Sequence, residues 1–166
     1  MALQIAVLTV SDSRNETSDK SGAYLANALV ATGHLLHEKV ICRDDKYLIR
    51  ALVAAWIADL GVDVVLITGG TGFTGRDLTP EAVRPLLDKE MVGFGELFRS
   101  LSFNEIATSA IQSRALAGVA NATVVFCLPG STGACRTAWE QIIEAQLDSK
   151  TKPCNLAMLL PRFNEI

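Results

Sequence analysis

Val62-Asp-Val-Val-Leu-Ile67 runs straight into Thr68-Gly-Gly-Thr-Gly-Phe-Thr-Gly-Arg-Asp-Leu-Thr-Pro80. The first part is mostly apolar and β-branched, which predicts a strand, the most hydrophobic in the chain. The second is a Gly/Thr loop. It ends where Pro80 suits the first helical position, with Thr79 as its N-cap. A strand, a glycine loop and then a helix place this segment at the centre of an α/β sheet.

The same alternation extends outward in both directions. Ile5–Val10, Leu35–Cys42 and Ala122–Leu128 are further apolar, strand-like runs. Between them, Tyr24, Leu25, Ala28 and Leu29 carry helical spacing over Ser21–Thr32, with Gly33 as the stop. Leu48, Leu52, Val53 and Trp56 form the predicted apolar stripe of a helix over Asp45–Leu60. Residues 93–105, 107–118 and 133–147 also look helical, and the tail after Lys150 looks extended. The expected fold is α/β: a three-layer α/β/α sandwich with a mainly parallel sheet. No linker, repeat or low-complexity tract interrupts it, so residues 1–166 are expected to form one domain.

Composition excludes several classes. The 166 residues are 49% hydrophobic and 20% charged, an ordinary globular balance. The net charge is −3 and the pI about 5.4. A general nucleic-acid binder needs a basic face, so none is expected. Mean hydropathy is high, at +0.29. The most apolar stretch, 51–67, is broken by Asp59, Gly61 and Asp63, so no membrane span is expected. The excess apolar content fits a doubly covered sheet or an oligomer interface. The N-terminus carries no basic, signal-like region. Cys42, Cys127, Cys135 and Cys154 lack zinc-site spacing, which suggests a reducing, cytoplasmic setting.

Ligands in such sheets bind beyond the carboxyl ends of the strands. Those ends are Thr9-Val-Ser-Asp12, Cys42-Arg-Asp-Asp45, Thr68-Gly-Gly-Thr-Gly72 and Leu128-Pro-Gly-Ser131, and each is polar or glycine-rich. Gly70, Gly72 and Gly75 spell the dinucleotide fingerprint, but they follow the third strand, and Pro80 delays the helix. A nicotinamide-dependent oxidoreductase is therefore disfavoured. Arg76-Asp77 stands where a P-loop needs Lys-Ser/Thr. What remains is a loop whose N–H groups can cradle phosphate. Asp77 is suited to Mg²⁺, which takes one or two carboxylates together with substrate phosphates. Its competing role is to cap a turn or the following helix. Asp44 competes with a plain N-cap role. Glu96 either faces the cleft or satisfies a helix dipole. Arg114, placed in a helix, either meets an anion or a neighbouring subunit or is solvated. His34 and His37 are expected at the surface or in a turn, which leaves no histidine base for a Ser-His-Asp hydrolase.

Four ordered blocks carry a resemblance: Thr68-Gly-Gly-Thr-Gly72, Arg76-Asp-Leu-Thr-Pro80, Gly93-Phe-Gly-Glu96 and Leu128-Pro-Gly130. Together they resemble the MoaB/MogA family of molybdenum cofactor biosynthesis. Ala134-Cys-Arg-Thr-Ala-Trp-Glu140 and Thr151-Lys-Pro-Cys-Asn155 look most like its bacterial MoaB branch. The resemblance implies a molybdopterin adenylyltransferase that moves AMP from Mg-ATP to the terminal phosphate of molybdopterin and releases pyrophosphate. A non-catalytic molybdopterin-binding or scaffolding role on the same fold stands beside it. The family's two acidic positions fall on Asp44 and Asp77, implied to position Mg²⁺ and the triphosphate. Substrate and nucleotide contacts are implied for Ser11, Asp12, Thr68, Gly69, Gly70, Thr71, Gly72, Pro129, Gly130 and Ser131, and motif positions for Glu96 and Arg114. The resemblance further implies a homotrimer or homohexamer, and contact with the protein that inserts molybdenum.

Overall fold

Strand β1 (Gln4–Val10) alternates its side chains between two cores. Ile5 and Val7 enter one apolar cluster, and Ala6, Leu8 and Val10 enter the other. A strand apolar at successive positions, as β1 is from Ile5 to Leu8, must be covered on both faces, because successive side chains point to opposite sides of the sheet. The computed structural model, which describes residues 1–165, supplies both covers.

The sheet has six strands in the order β2-β1-β3-β6-β5-β4. These are β1, β2 (Leu35–Cys42), β3 (Val64–Thr68), β4 (Lys89–Glu90), β5 (Leu116–Ala120) and β6 (Thr123–Leu128). The β1–β2, β1–β3 and β3–β6 pairs are parallel. The β5–β6 and β4–β5 pairs are antiparallel. On one face lie α1 (Lys20–Ala31), α4 (Val92–Ile106) and α5 (Thr132–Ala138), with Leu25, Phe98 and Cys135 packed with Val7, Leu66 and Phe126 in one cluster. On the other lie α2 (Lys46–Ala58) and the short α3 (Thr79–Val83), with Ile49, Val53 and Val83 packed on Leu8, Val65 and Ile67. The expected α/β/α layering is the observed one.

Several local expectations are corrected. Residues 107–118 are not a helix. Ala107 takes φ +49° and ends α4, a 3₁₀ segment covers Ala107–Gln112, and β5 follows. The β5–β6 hairpin turns at Asn121 and Ala122, both with positive φ. A two-residue turn of that hand normally carries Asn-Gly, and alanine there hides the hairpin from sequence. Leu48 is exposed, and Ile49 takes its place in the buried stripe of α2. The N-cap of α2 is Asp45, whose side chain accepts from the Tyr47 and Leu48 N–H groups; Asp44 is not the cap. Leu78 precedes α3, and Thr79 is its first residue. The chain continues from α5 through a π segment (Trp139–Ile143) into α6 (Glu144–Leu147). The tail is not wholly extended, since it contains α7 (Leu156–Leu159). His34 is buried rather than superficial, and its Nδ1 accepts the Leu3 N–H at 3.3 Å.

Candidate functional site

The carboxyl ends of β1, β3 and β6 open onto one cleft of about 550 Å³. The parallel register puts them there together: Thr9 lies beside Thr68, and Thr68 beside Leu128. Loops leaving aligned strand ends converge, and the cleft forms between them. Ser11 and Asp12, the loop from Thr68 to Gly72, Asp44, Asp77, and Pro129 to Ser131 all line it.

Two expected residues stand elsewhere. Glu96 is exposed on α4 and does not line the cleft. Arg114 lies outside any helix, behind the glycine loop. Its guanidinium holds loop carbonyls, donating from Nε to Gly72 O and from Nη2 to Asp77 O, each at 2.7 Å.

The glycine loop is where side chains would not fit. Gly69 and Gly70 adopt φ of +104° and +66°, a hand that L side chains seldom take. A Cβ on Gly70 would lie 2.4 Å from Thr79 Oγ1 and 2.8 Å from Asp44 Oδ2. The loop backbone is thus pressed against one of the two acidic residues. The Thr79 hydroxyl fixes this approach by donating to Gly69 O at 2.7 Å.

Asp44 is buried. Its Oδ1 accepts the Leu78 N–H at 3.1 Å, and its Oδ2 has no hydrogen-bond donor among the described residues. Burial raises its pKa above the usual aspartate value; the Leu78 N–H opposes the rise, and the charges of Asp77 and Asp12 add to it. Asp77 shifts the other way. Burial pushes its carboxyl up, but the Thr74 hydroxyl, the Thr74 N–H and the nearby Gly72 N–H outweigh that, and the net shift is downward. The Thr74 donors lie at 2.7 and 2.8 Å from Asp77 Oδ2. Asp77 therefore does hold a turn while lining the cleft, so its two candidate roles are compatible.

Two residues of the site escape a reading of spacing. Arg76 donates twice to Asp12 Oδ2, from Nε at 3.0 Å and from Nη2 at 2.6 Å, and joins the first loop to the glycine loop. Asp19 is buried at the cleft wall. It accepts from Thr9 Oγ1 and the Gly22 N–H and pairs with Lys39 at 2.9 Å. No local motif joins Lys39 on β2 to Asp19 before α1.

The carboxylates of Asp12, Asp19, Asp44 and Asp77 line the cleft, against the guanidiniums of Arg14 and Arg76. Asp19 and Asp12 are already matched by Lys39 and Arg76. Asp44 and Asp77 form no salt bridge among the described residues. A lone Oδ2 and a second carboxylate, all hard oxygen donors, fit a divalent cation that takes its remaining ligands from phosphate and water.

The family described as a probable molybdopterin binding domain matches residues 6–149 of the chain. Molybdenum cofactor biosynthesis protein B of Escherichia coli (strain K12) is 59% identical over 152 residues, covering 92% of this chain and 89% of that protein. The protein of the same name from Bacillus cereus is 49% identical, covering 85% and 84%. A crystal structure of molybdenum cofactor biosynthesis protein B superposes with a TM-score of 0.90 at 44% identity, covering 98% of each chain. The tungsten cofactor synthesizing protein MoaB from Pyrococcus furiosus superposes at 0.77 with 38% identity, covering 88% of this chain and 92% of that one. The chain belongs to the molybdopterin-binding family and, within it, to the MoaB branch.

Proposed function

We propose that this protein acts in molybdenum cofactor biosynthesis by binding molybdopterin and Mg-ATP in the cleft and adenylylating the pterin, with release of pyrophosphate. The supporting observation is the pair Asp44 and Asp77, neither in a salt bridge among the described residues, beside a glycine loop packed closely against both. Two polyanionic substrates entering a cleft lined by more carboxylates than guanidiniums need a cation between them and the protein. Asp44 Oδ2 and the Asp77 carboxylate would hold Mg²⁺, which supplies charge neutralisation on the triphosphate.

The remaining work is positioning. An oxygen of the molybdopterin terminal phosphate attacks the α-phosphorus of ATP, the bond from that phosphorus to the bridging oxygen breaks, and pyrophosphate leaves. The attacking oxygen is already anionic, so little base catalysis is required. The backbone of the glycine loop would approach the phosphates, and Ser11 and Ser131 offer hydroxyls at neighbouring strand ends, whereas the buried Thr68 hydroxyl is already donated to Pro129 O. Asp12 keeps Arg76 at the mouth of the cleft.

Two further parts of the reading concern the surroundings. Val92, Leu97, Phe103, Ile106 and Ile111 are exposed along α4 and the 3₁₀ segment after it, which supports burial in a homotrimer or homohexamer. The four free cysteines accord with a cytoplasmic setting. The adenylylated product is the substrate for molybdate insertion, so the insertion protein is the expected docking partner.

The test is pyrophosphate release from purified protein with molybdopterin and Mg-ATP, alongside Asp44→Asn and Asp77→Asn. Release that requires molybdopterin and drops by about a hundredfold or more in each variant supports the transferase. No release with molybdopterin retained would leave only a binding or scaffolding role.

A further inference from the structure

Arg114 grips the outer side of the glycine loop at several points. Its backbone N–H donates to Thr71 O at 3.1 Å, and its guanidinium takes Gly72 O and Asp77 O. The same group pairs with Glu81 of α3 and sits 5.3 Å from the centre of the Phe73 ring. Thr71, Gly72 and Asp77 line the cleft, but Arg114 itself does not.

The peptide between Asp77 and Leu78 carries the consequence. Its C=O accepts from Arg114 Nη2 at 2.7 Å. Its N–H donates to Asp44 Oδ1 at 3.1 Å. In a trans peptide these two groups point in opposite directions within one plane. Fixing the carbonyl on Arg114 therefore aims the N–H at Asp44. The same peptide begins at the carbonyl of Asp77, so one guanidinium orients the backbone of one acidic residue and the carboxylate of the other.

We propose that Arg114 is a positioning residue that sets Asp44 and Asp77 through the Asp77–Leu78 peptide, and that it does not bind the substrate phosphates. This rests on the proposed use of the cleft for phosphoryl-type transfer. The planar fork is essential, because two carbonyls and a carboxylate are held from separate nitrogens, and a lysine ammonium is a single point donor.

The experiment compares Arg114→Lys, Arg114→Gln and Glu81→Gln with the parent protein. Pyrophosphate release with molybdopterin and Mg-ATP gives kcat and KM, and amide hydrogen exchange on the protein alone reads the Leu78 N–H against Leu66 in β3. Both Arg114 variants are expected to lose kcat by about thirtyfold, with KM for ATP changed by less than about threefold. Leu78 exchange should accelerate by about tenfold while Leu66 stays protected. Glu81→Gln, a milder change that leaves the fork in place, should lose kcat by about threefold without tightening ATP. Parent-like activity in Arg114→Lys beside a loss in Arg114→Gln would mean that charge alone matters, and would overturn the proposal. So would tighter ATP binding in Glu81→Gln, the result expected if that carboxylate merely competes with phosphate. Unchanged Leu78 exchange, or equal acceleration at Leu66, overturns it as well. Should the parent release no pyrophosphate, the transferase reading fails while the exchange comparison still decides the role of Arg114.

Discussion

Asp12 Oδ1 accepts the backbone N–H of Asp44 at 3.2 Å, while its Oδ2 is occupied by Arg76. Asp12 thus ties the β1 loop to the segment after β2 and to the tip of the glycine loop. The Arg76 hydrogen bond holds its carboxyl below the usual aspartate range, so this link persists through mildly acidic solution. Asp12→Ala should reduce turnover by about tenfold to a hundredfold, because Asp44 loses a backbone anchor and small misplacements near reacting groups are costly. The melting temperature should hardly change, since an exposed ion pair contributes little to folding. Pyrophosphate release and a thermal melt on the same preparation check both halves.

Ionising Asp44 costs the fold stability. Its pKa is raised by burial first, and then by the charges of Asp77 and Asp12. An acid whose folded pKa is raised is destabilising when charged. The cost is full above the folded pKa and disappears below the unfolded value of about 3.9. Asp44→Asn keeps an acceptor for the Leu78 N–H and removes the charge. The variant should melt about 2 °C higher than the parent at pH 7, and the gap should close as pH falls towards 3. A variant less stable than the parent at pH 7 would sink this account.

Gly70→Ala tests the close approach of the glycine loop to Asp44. Its φ of +66° disfavours a side chain, and the added Cβ would meet Thr79 Oγ1 and Asp44 Oδ2. A loss of about 1–3 kcal/mol is expected from strain at such a position. Urea denaturation measures it. Activity should fall further than stability predicts, because the displaced atoms belong to the cleft. Gly75→Ala is the control: a Cβ there meets nothing within 4 Å, and its melting curve should overlay the parent's.

His34 predicts an acid-side weakness remote from the cleft. Burial lowers its pKa, the N-terminal charge lowers it further, and Asp148 and Asp63 oppose. A histidine with a lowered folded pKa costs nothing above its unfolded value of about 6.5. Stability is lost as pH falls below that value, because the unfolded chain takes the proton first. Protonation also removes the Nδ1 acceptor used by the Leu3 N–H. Between pH 7 and pH 5 the parent should lose more melting temperature than His34→Gln does, and parallel curves would remove the argument.

Much of the architecture is written in local pattern. The apolar runs Ile5–Val10, Val62–Ile67 and Ala122–Leu128 predict strands of a covered sheet, and both cores claim their alternate side chains. The polar or glycine-rich strand ends predict where the loops gather. Local pattern misleads where backbone conformation is held by distant partners. Asn121 and Ala122 take positive φ while Asn121 bonds to Asp88 and Ile57, so a hairpin forms without its usual glycine. His34 is buried, and the Leu3 N–H just before β1 donates to its ring.

The sequence by itself determined a layered α/β sheet, a glycine loop at its central strand and two aspartates worth watching, because periodicity and backbone freedom are properties of neighbouring residues. Only the tertiary structure decided what those aspartates touch. Asp44 leaves the capping of α2 to Asp45 and reaches Leu78, 34 residues away. Arg114 turns from the cleft to hold Asp77 from 37 residues away. Hydrogen bonds across such separations leave no spacing in the chain; they exist only once parallel strand ends have been brought into register.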